Sequence, residues 1–244
     1  MTTEAGPVRA PAGAQAVRRA LDVLHCFHDN GPDLSASDLA RRLGLSTSTA
    51  HRLARTLLGA GFLEQDNRTA RYRLGPAVTE LGRLSYHQRG LHLAAPELDD
   101  LAARTGATAD LALRSGGDAV IVAGGSVTPR VGLRRPLHAT ALGRVLLAFA
   151  ERTPGAPAPL AGGSARVREQ GYALDDGDAV AGVRTLAVPV LDRSGHARFA
   201  LALRAAPSLL TDERLDWFLA RTRACARALE VLLLAPGERR APEA

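Results

Sequence analysis

The sequence predicts an α+β chain in two unequal parts, a helical N-terminal third and a longer region of short strands with flanking helices. Three observations carry that prediction. Between Ser46 and about Leu58, Ala50, Leu53, Ala54 and Leu57 fall on one side of a helix, and Ser48, His51, Arg52 and Arg55 on the other. From Ala107 the helical spacing gives way to TADLALR, AVIVAGG and VGLRR, short strands set apart by Gly-Gly and Thr-Pro turns. The 244 residues also exceed the usual size of one domain.

Composition narrows the field. No apolar run reaches the length of about 18 residues that a membrane span needs, and MTTEAGPVRAPAGAQ has no apolar core for a secretory signal. Cys26 and Cys225 are the only cysteines and form no Cys-x-x-Cys pair, which points to a reducing cytoplasm and away from structural zinc. The net charge is +6, and all 31 basic side chains are arginine. Such a balance suits nucleic acid, but between Ala14 and Leu74 only nine arginines face six acids. The placement of the charge therefore says more than its sum.

Residues 1–13 read as a disordered arm. A first helix is expected from Ala14 to about Asp29, with Val17, Ala20, Leu21, Leu24 and Phe27 as its apolar stripe and Asn30-Gly31-Pro32 as its stop. Ser35 and Asp38 have capping-box spacing at the head of a second helix, whose inner face is Leu39, Ala40 and Leu43. Gly44 permits a tight turn and Ser46 can cap the third helix. This is helix-turn-helix grammar, and the polar face of the third helix is shaped to read DNA.

Phe62-Leu63-Glu64-Gln65 and Arg71-Tyr72-Arg73-Leu74 then form a hairpin about Asp66–Thr69, a wing with Arg71 and Arg73 on its outer side. Together these features assign residues 14–75 to a winged helix-turn-helix. Its DNA contacts are expected from Ser46, Thr47, Ser48, Thr49, His51, Arg52, Arg55, Arg68, Arg71 and Arg73. Arg52 is the expected base reader, while Arg55, Arg71 and Arg73 suit phosphate. The plainer alternative for the wing is a hairpin with solvated arginines.

Residues 76–92 read as a linker helix with Val78, Leu81 and Leu84 in its stripe, a connecting and dimerising element. Residues 93–235 form the second domain, and 236–244 a disordered tail. Within that domain a helix follows over Ala94–Arg104, another over Thr140–Glu151, a loop over 153–163, and a short helix over Ala165–Gly171. Strands LAVPVLD and ARFALALR precede a closing helix opened by Thr211-Asp212-Glu213. Along the last strand Phe199, Leu201 and Leu203 fit a face packed on that helix. Arg198, Ala200, Ala202 and Arg204 leave room beside a charge, as a concave ligand face would.

An enzyme would need a nucleophile, a base and an orienting group. Ser126, His138 and Asp110 are present, but no Gly-x-Ser-x-Gly, phosphate loop, dinucleotide fingerprint or zinc-protease motif surrounds them. No cofactor and no metal site are called for. Asp175, Asp176 and Asp178 lack the twelve-residue calcium loop with its closing Glu.

LARRLGLSTSTAHRLARTLLGAGFLEQD with RYRLG, then RPLHATALGRVLLA, then REQGYALDDGDAVAGVRTLAVPVLDRSG resemble the isocitrate-lyase-regulator (IclR) family of bacterial transcription factors over roughly Gln15–Leu234. The first stretch alone is a generic winged helix; the last two, in this order, are specific to the family's ligand-sensing domain. The resemblance implies a GAF/PAS-like antiparallel sheet with flanking helices, and dimers, often paired into tetramers. It further implies double-stranded operator DNA and a small-molecule effector, commonly an organic acid, as partners. Carried over residue by residue, the effector site comprises Gly124, Val127, Ala141, Leu142, Asp175, Val183, Thr185, Ala202 and Arg204. Family members usually carry one or two more helices where this chain has only its Pro/Gly/Ala loop. In this reading Arg204 and the Ala141–Leu142 amides hold a carboxylate while Asp175 accepts from a hydroxyl or amine. Alternatively, Arg204 pairs with Asp175 or lies outside the sheet.

Overall fold

A computed structural model describes residues 12–28, 33–124, 131–151, 163–177 and 180–240. The chain divides into two compact units, Met1–Ser85 and Tyr86–Ala244.

The first unit packs α1 (Ala12–His25), α2 (Ala36–Leu43) and α3 (Thr47–Gly59) with a hairpin of β1 (Leu63–Gln65) and β2 (Tyr72–Leu74). Its core is Val23, Leu39, Ala50, Leu53, Ala54, Leu57, Leu63 and Tyr72. The α1 stripe is narrower than its spacing suggests: Ala20, Leu24 and Phe27 pack on this core, but Val17 is 61% and Leu21 52% exposed. They lie on the flank of α1 that no element of the unit covers. A helix α4 (Pro76–Gln88) leaves the hairpin and buries no residue at all, with Leu81 53% and Leu84 56% exposed.

The second unit is built on a six-stranded antiparallel sheet. Its strands are β3 (Thr108–Ser115), β4 (Asp118–Gly124), β5 (Arg134–Pro136), β6 (Ala173–Asp175), β7 (Arg184–Leu191) and β8 (Ala197–Ala205), in the order β5-β4-β3-β8-β7-β6. Helices α5 (Leu91–Thr105) and α8 (Leu215–Leu233) cover one face, where Leu111, Leu186, Val188, Phe199, Leu201 and Leu203 meet Leu98, Phe218 and Leu229. The other face is floored by alanines, Ala112, Ala119, Ala173, Ala187, Ala200 and Ala202, and takes α6 (Ala141–Ala148), on which α7 (Gly163–Gln170) packs. Small side chains on one face and large ones on the other follow directly from the two-residue period of β8.

Two departures have physical causes. Ala173–Asp175, where the pattern predicts no strand, is an edge strand paired with β7 through Asp175↔Thr185. The stretch expected as a free tail from 236 is tied down as far as Arg240, because Glu230 of α8 is buried and needs a cation. Arg240 pairs with it at 3.0 Å, while Glu230 also accepts the Leu191 N–H. The wider part of the Pro/Gly/Ala loop, 152–162, lies outside the described residues.

Candidate nucleic-acid interface and ligand cavity

The interface begins with two helix starts. The Ser35 hydroxyl oxygen accepts from the Asp38 N–H, and the Asp38 carboxylate accepts from the Ser35 N–H, each at 3.1 Å. The Ser35 hydroxyl also donates to the Asp38 carboxylate at 2.7 Å, and that bond first, then the one from the Ser35 N–H, holds the Asp38 carboxyl below its usual value. Gly44 takes the left-handed conformation (φ 62°), which turns the chain from α2 into α3 without a Cβ clash. Ser46 then caps α3, accepting from the Thr49 N–H at 3.3 Å and lying 2.9 Å from the Thr49 hydroxyl. Ser46 and Thr49 thus serve the helix end. Thr47, Ser48, His51, Arg52 and Arg55 make the exposed face, directly opposite buried Ala50, Leu53, Ala54 and Leu57.

The wing is more committed than its sequence implies. Asp66 accepts the N–H groups of Arg68 and Thr69 at 2.8 Å each, fixing the turn. Tyr72 is fully buried and exchanges both backbone bonds with Leu34, which adds a one-residue third strand to the hairpin. Leu74, expected on the same inner face, is 42% exposed at the hairpin's end. Arg71, expected along phosphate, points back into the unit. Its Nε donates to Asp33 at 2.5 Å and its Nη2 lies 3.5 Å from Asp38. Two acids near α2's start thus hold a guanidinium that the sequence pattern places on the wing's outer side. Arg73 pairs across the strands with Glu64, both exposed, and such a surface pair exchanges readily for a phosphate. Arg68 is exposed at the tip.

The ligand cavity follows from sheet register. Directly paired residues share a face, so Asp175, Thr185, Arg204 and Thr108 form one row, and Ala173, Ala187, Ala202, Asp110 and Gly124 the next. On this face a cavity of about 40 Å³ is lined by Asp110, Ile121, Leu133, Arg135, Thr140, Ala141, Leu142, Asp175, Val180, Thr185 and Arg204, with Ala119. The first turn of α6 forms its wall. Thr140 caps that helix by accepting the Gly143 N–H at 3.0 Å. Gly143 has to be glycine: a Cβ there would lie 2.0 Å from the Leu137 carbonyl oxygen, and that close approach seats the helix end over the sheet.

Of the expected ligand residues, Ala141, Leu142, Asp175, Thr185 and Arg204 line this cavity. Three do not. Ala202 is fully buried as floor beneath α6, Gly124 ends β4 opposite Asp110, and Val183 sits in the turn before β7, its N–H bonded to Val180. Val127 lies outside the described residues. Arg204 faces the cavity and pairs with Asp110: Nε and Oδ2 are 3.1 Å apart. Asp110 is wholly buried. Burial pushes its carboxyl above the usual value and Arg204 pulls it back. Arg198, read with the same face, instead borders an open hollow of about 480 Å³ at the other end of β8 and pairs with Glu238 there at 3.6 Å. That larger hollow is lined by charged and apolar side chains alike, and apart from Arg198 it contains none of the residues expected at the ligand site, whereas the smaller cavity gathers five of them.

Comparison with known proteins agrees with both halves of this description. The IclR helix-turn-helix domain model matches residues 16–67, and the bacterial transcriptional regulator IclR C-terminal model matches residues 87–156 and 152–231. The chain belongs to the IclR family of transcriptional regulators. Among IclR relatives, the HTH-type transcriptional regulator XynR of Escherichia coli K12 is 33% identical over 84% of this chain and 91% of its own length. The regulator BhcR of Paracoccus denitrificans is 31% identical over 84% of this chain and 82% of its own. A solved putative IclR regulator from Silicibacter sp. TM1040 superposes with a TM-score of 0.76 at 28% identity, covering 93% of this chain and 98% of that one. The fold is also that of an IclR homologue from Microbacterium hydrocarbonoxydans complexed with 4-hydroxybenzoate, with a TM-score of 0.73 and 24% identity over 89% of this chain and 98% of that one.

Against the IclR models, the N-terminal match ends at the wing's turn, before Arg71 and Arg73. The C-terminal match is in two pieces that overlap over residues 152–156, at the start of the Pro/Gly/Ala loop. Sequence reasoning missed Asp110 as a residue lining this cavity, having weighed it only within an enzyme constellation. Its signal was there: a lone acid flanked by Ala109, Leu111 and Ala112 in a strand must find a cation, and Arg204 is two registers along the neighbouring strand.

Proposed function

We propose that this IclR regulator binds double-stranded operator DNA as a homodimer, with a small organic acid in the cavity of the second unit modulating that binding. The observation that carries the reading is the face of α3. Thr47, Ser48, His51, Arg52 and Arg55 stand exposed over a close-packed core, which is the arrangement a major-groove helix needs. Arg52 reads a guanine, Arg55, Arg68 and Arg73 bind phosphate, and Ser48 and His51 add weaker contacts.

Dimerisation is supported by Val17, Leu21, Leu81 and Leu84, four large apolar residues of α1 and α4 left more than half exposed. A dimer also matches the half-site logic of a recognition helix, and pairing of dimers is a further step. The ligand is small, since a cavity of about 40 Å³ admits only a few water-sized groups. Arg204 already serves Asp110 through one edge of its five-donor guanidinium, so the acid's main seat is the Ala141 and Leu142 N–H groups at the start of α6. Asp175 and Thr185 take its hydroxyl or amine. Ligand and operator are coupled through the helix that joins the units. We read the chain as a regulator without enzymatic activity: His138 is exposed on a turn, whereas Asp110 is buried against Arg204.

The test is a gel shift with DNA from upstream of the chain's own coding region, with and without small carboxylic acids. A specific shift altered by one acid is expected. No specific shift would end the operator reading, and a shift indifferent to every acid would end the effector reading.

A further inference from the structure

The junction of α4 and α5 carries a pair of histidines that neither the DNA face nor the ligand cavity uses. On an unbroken helix His87 and His92, five residues apart, would be rotated by roughly 140° from one another. The chain breaks at Gly90 instead, in the left-handed conformation (φ 67°), and the break turns the two side chains toward each other. Their ring centroids are 4.7 Å apart with planes inclined at 44°, and both residues are exposed. The turn is held from several sides. Gly90 donates to the His87 carbonyl at 3.0 Å, and Leu93 donates to the Gly90 carbonyl at 2.8 Å. Tyr86, packed on the core of the second unit, places its ring 5.9 Å from His87 and 6.4 Å from His92.

We propose that His87 and His92 form a two-imidazole chelate for a divalent transition-metal ion of the zinc, nickel or copper type. Imidazole suits these ions, and an imidazole nitrogen holds zinc at about 2.0–2.1 Å, which sets the ring centroid about 3.2 Å from the metal. Centroids 4.7 Å apart then subtend roughly 95° at the ion, between the square-planar and tetrahedral angles. Among the described residues no cluster of three or more His, Cys, Asp or Glu completes the sphere. Water fills the remaining positions, and the site is a labile, modest-affinity one rather than a structural zinc centre. A bound ion bridges the last turn of α4 and the first turn of α5, and so stiffens the bend at Arg89-Gly90.

The test is calorimetric titration of zinc chloride into the full-length protein. One site per chain is expected, at least tenfold weaker in either His87→Ala or His92→Ala, with the double variant no weaker than the singles. His25→Ala/His28→Ala, which alters the other adjacent histidine pair, should leave the affinity intact. Zinc should also slow tryptic cleavage after Arg89 in the parent and in the control, but not in His87→Gln or His92→Gln. Affinity within threefold of the parent in both single variants would overturn the proposal. So would partial, additive losses, which mark independent surface histidines, or a loss seen in the His25/His28 control alone. A loss of zinc binding without a change in tryptic cleavage would overturn the stiffening.

Discussion

Arg52 and Arg71 belong to the same small unit and carry the same charge, yet their surroundings differ completely. Arg52 stands on the exposed face of α3. Arg71 is held by Asp33 and Asp38, binding the wing to the start of α2. Arg204 repeats the second situation in the other unit, set against a carboxylate that is entirely buried. The difference teaches that an arginine's role is decided by which acid reaches it, and in both committed cases that acid is remote in sequence. An arginine without such a partner remains available to a ligand or to DNA; one with a partner is part of the frame, and its loss is felt first in stability.

The strongest way to break the comparison is to remove Arg204. Arg204→Ala removes the ion pair that Arg204 makes with buried Asp110, and breaking a buried pair in this way costs about 3–5 kcal/mol. The loss should depend on pH with a definite sign. Asp110's carboxyl is already raised by burial, and without Arg204 it rises further, so the folded state binds the proton more tightly than the unfolded chain does. Stability from this group is then present below the ordinary carboxylate value and is lost as pH climbs through the raised one. Urea unfolding of Arg204→Ala should show its largest deficit at neutral pH and a smaller one near pH 4. Adding Asp110→Ala should return most of the lost stability. A deficit of equal size at both pH values would mean that the pair is not what Arg204 supplies.

The next contrast sets Arg52→Ala against Arg71→Ala in DNA binding. Losing a bidentate guanine contact weakens discrimination by about 1–3 kcal/mol, roughly 5- to 150-fold, so Arg52→Ala should narrow the gap between operator and unrelated DNA by about that factor while its melting temperature holds. Arg71→Ala should do the reverse: a lower melting temperature, with the salt dependence of binding unchanged, because no phosphate contact is lost. A salt slope shallower by about one in Arg71→Ala would return that residue to the DNA interface.

The same contrast explains what was legible in the sequence. Helix caps, the Gly44 turn, the two faces of α3 and the alternation along β8 are local patterns, and each is found where the spacing puts it. Residues facing the cavity were reached where motif or alternation fixed their side of the strand, as with Arg204, Asp175 and Thr185. What escaped was non-local. Nothing near Arg71 in sequence announces Asp33, and nothing near Arg204 announces Asp110; only strand pairing and the return of the chain bring them together. Ala202 and Gly124 fail for a related reason. They share the cavity's face, but Ala202 is one row further under α6 and Gly124 at the far end of the same row, and alternation cannot tell row from row.

Tyr72 offers the smallest and sharpest test of the same idea, because it is a buried polar group of the opposite kind. Its ring fills the core of the first unit and its backbone bonds Leu34, but its hydroxyl has no hydrogen-bond partner among the described residues. A hydroxyl taken out of water without compensation opposes folding, so removing it should cost nothing. Tyr72→Phe keeps the ring and is expected to unfold at the same urea concentration as the parent or at a higher one, with a gain of up to about 1 kcal/mol. The contrast with Arg71, its neighbour in the chain, is then complete: one polar side chain is retained by its partners, while the other is carried only for its ring. If Tyr72→Phe instead loses stability, the hydroxyl has a partner in the folded protein, and Tyr72 joins Arg71 and Arg204 among the groups that hold the frame.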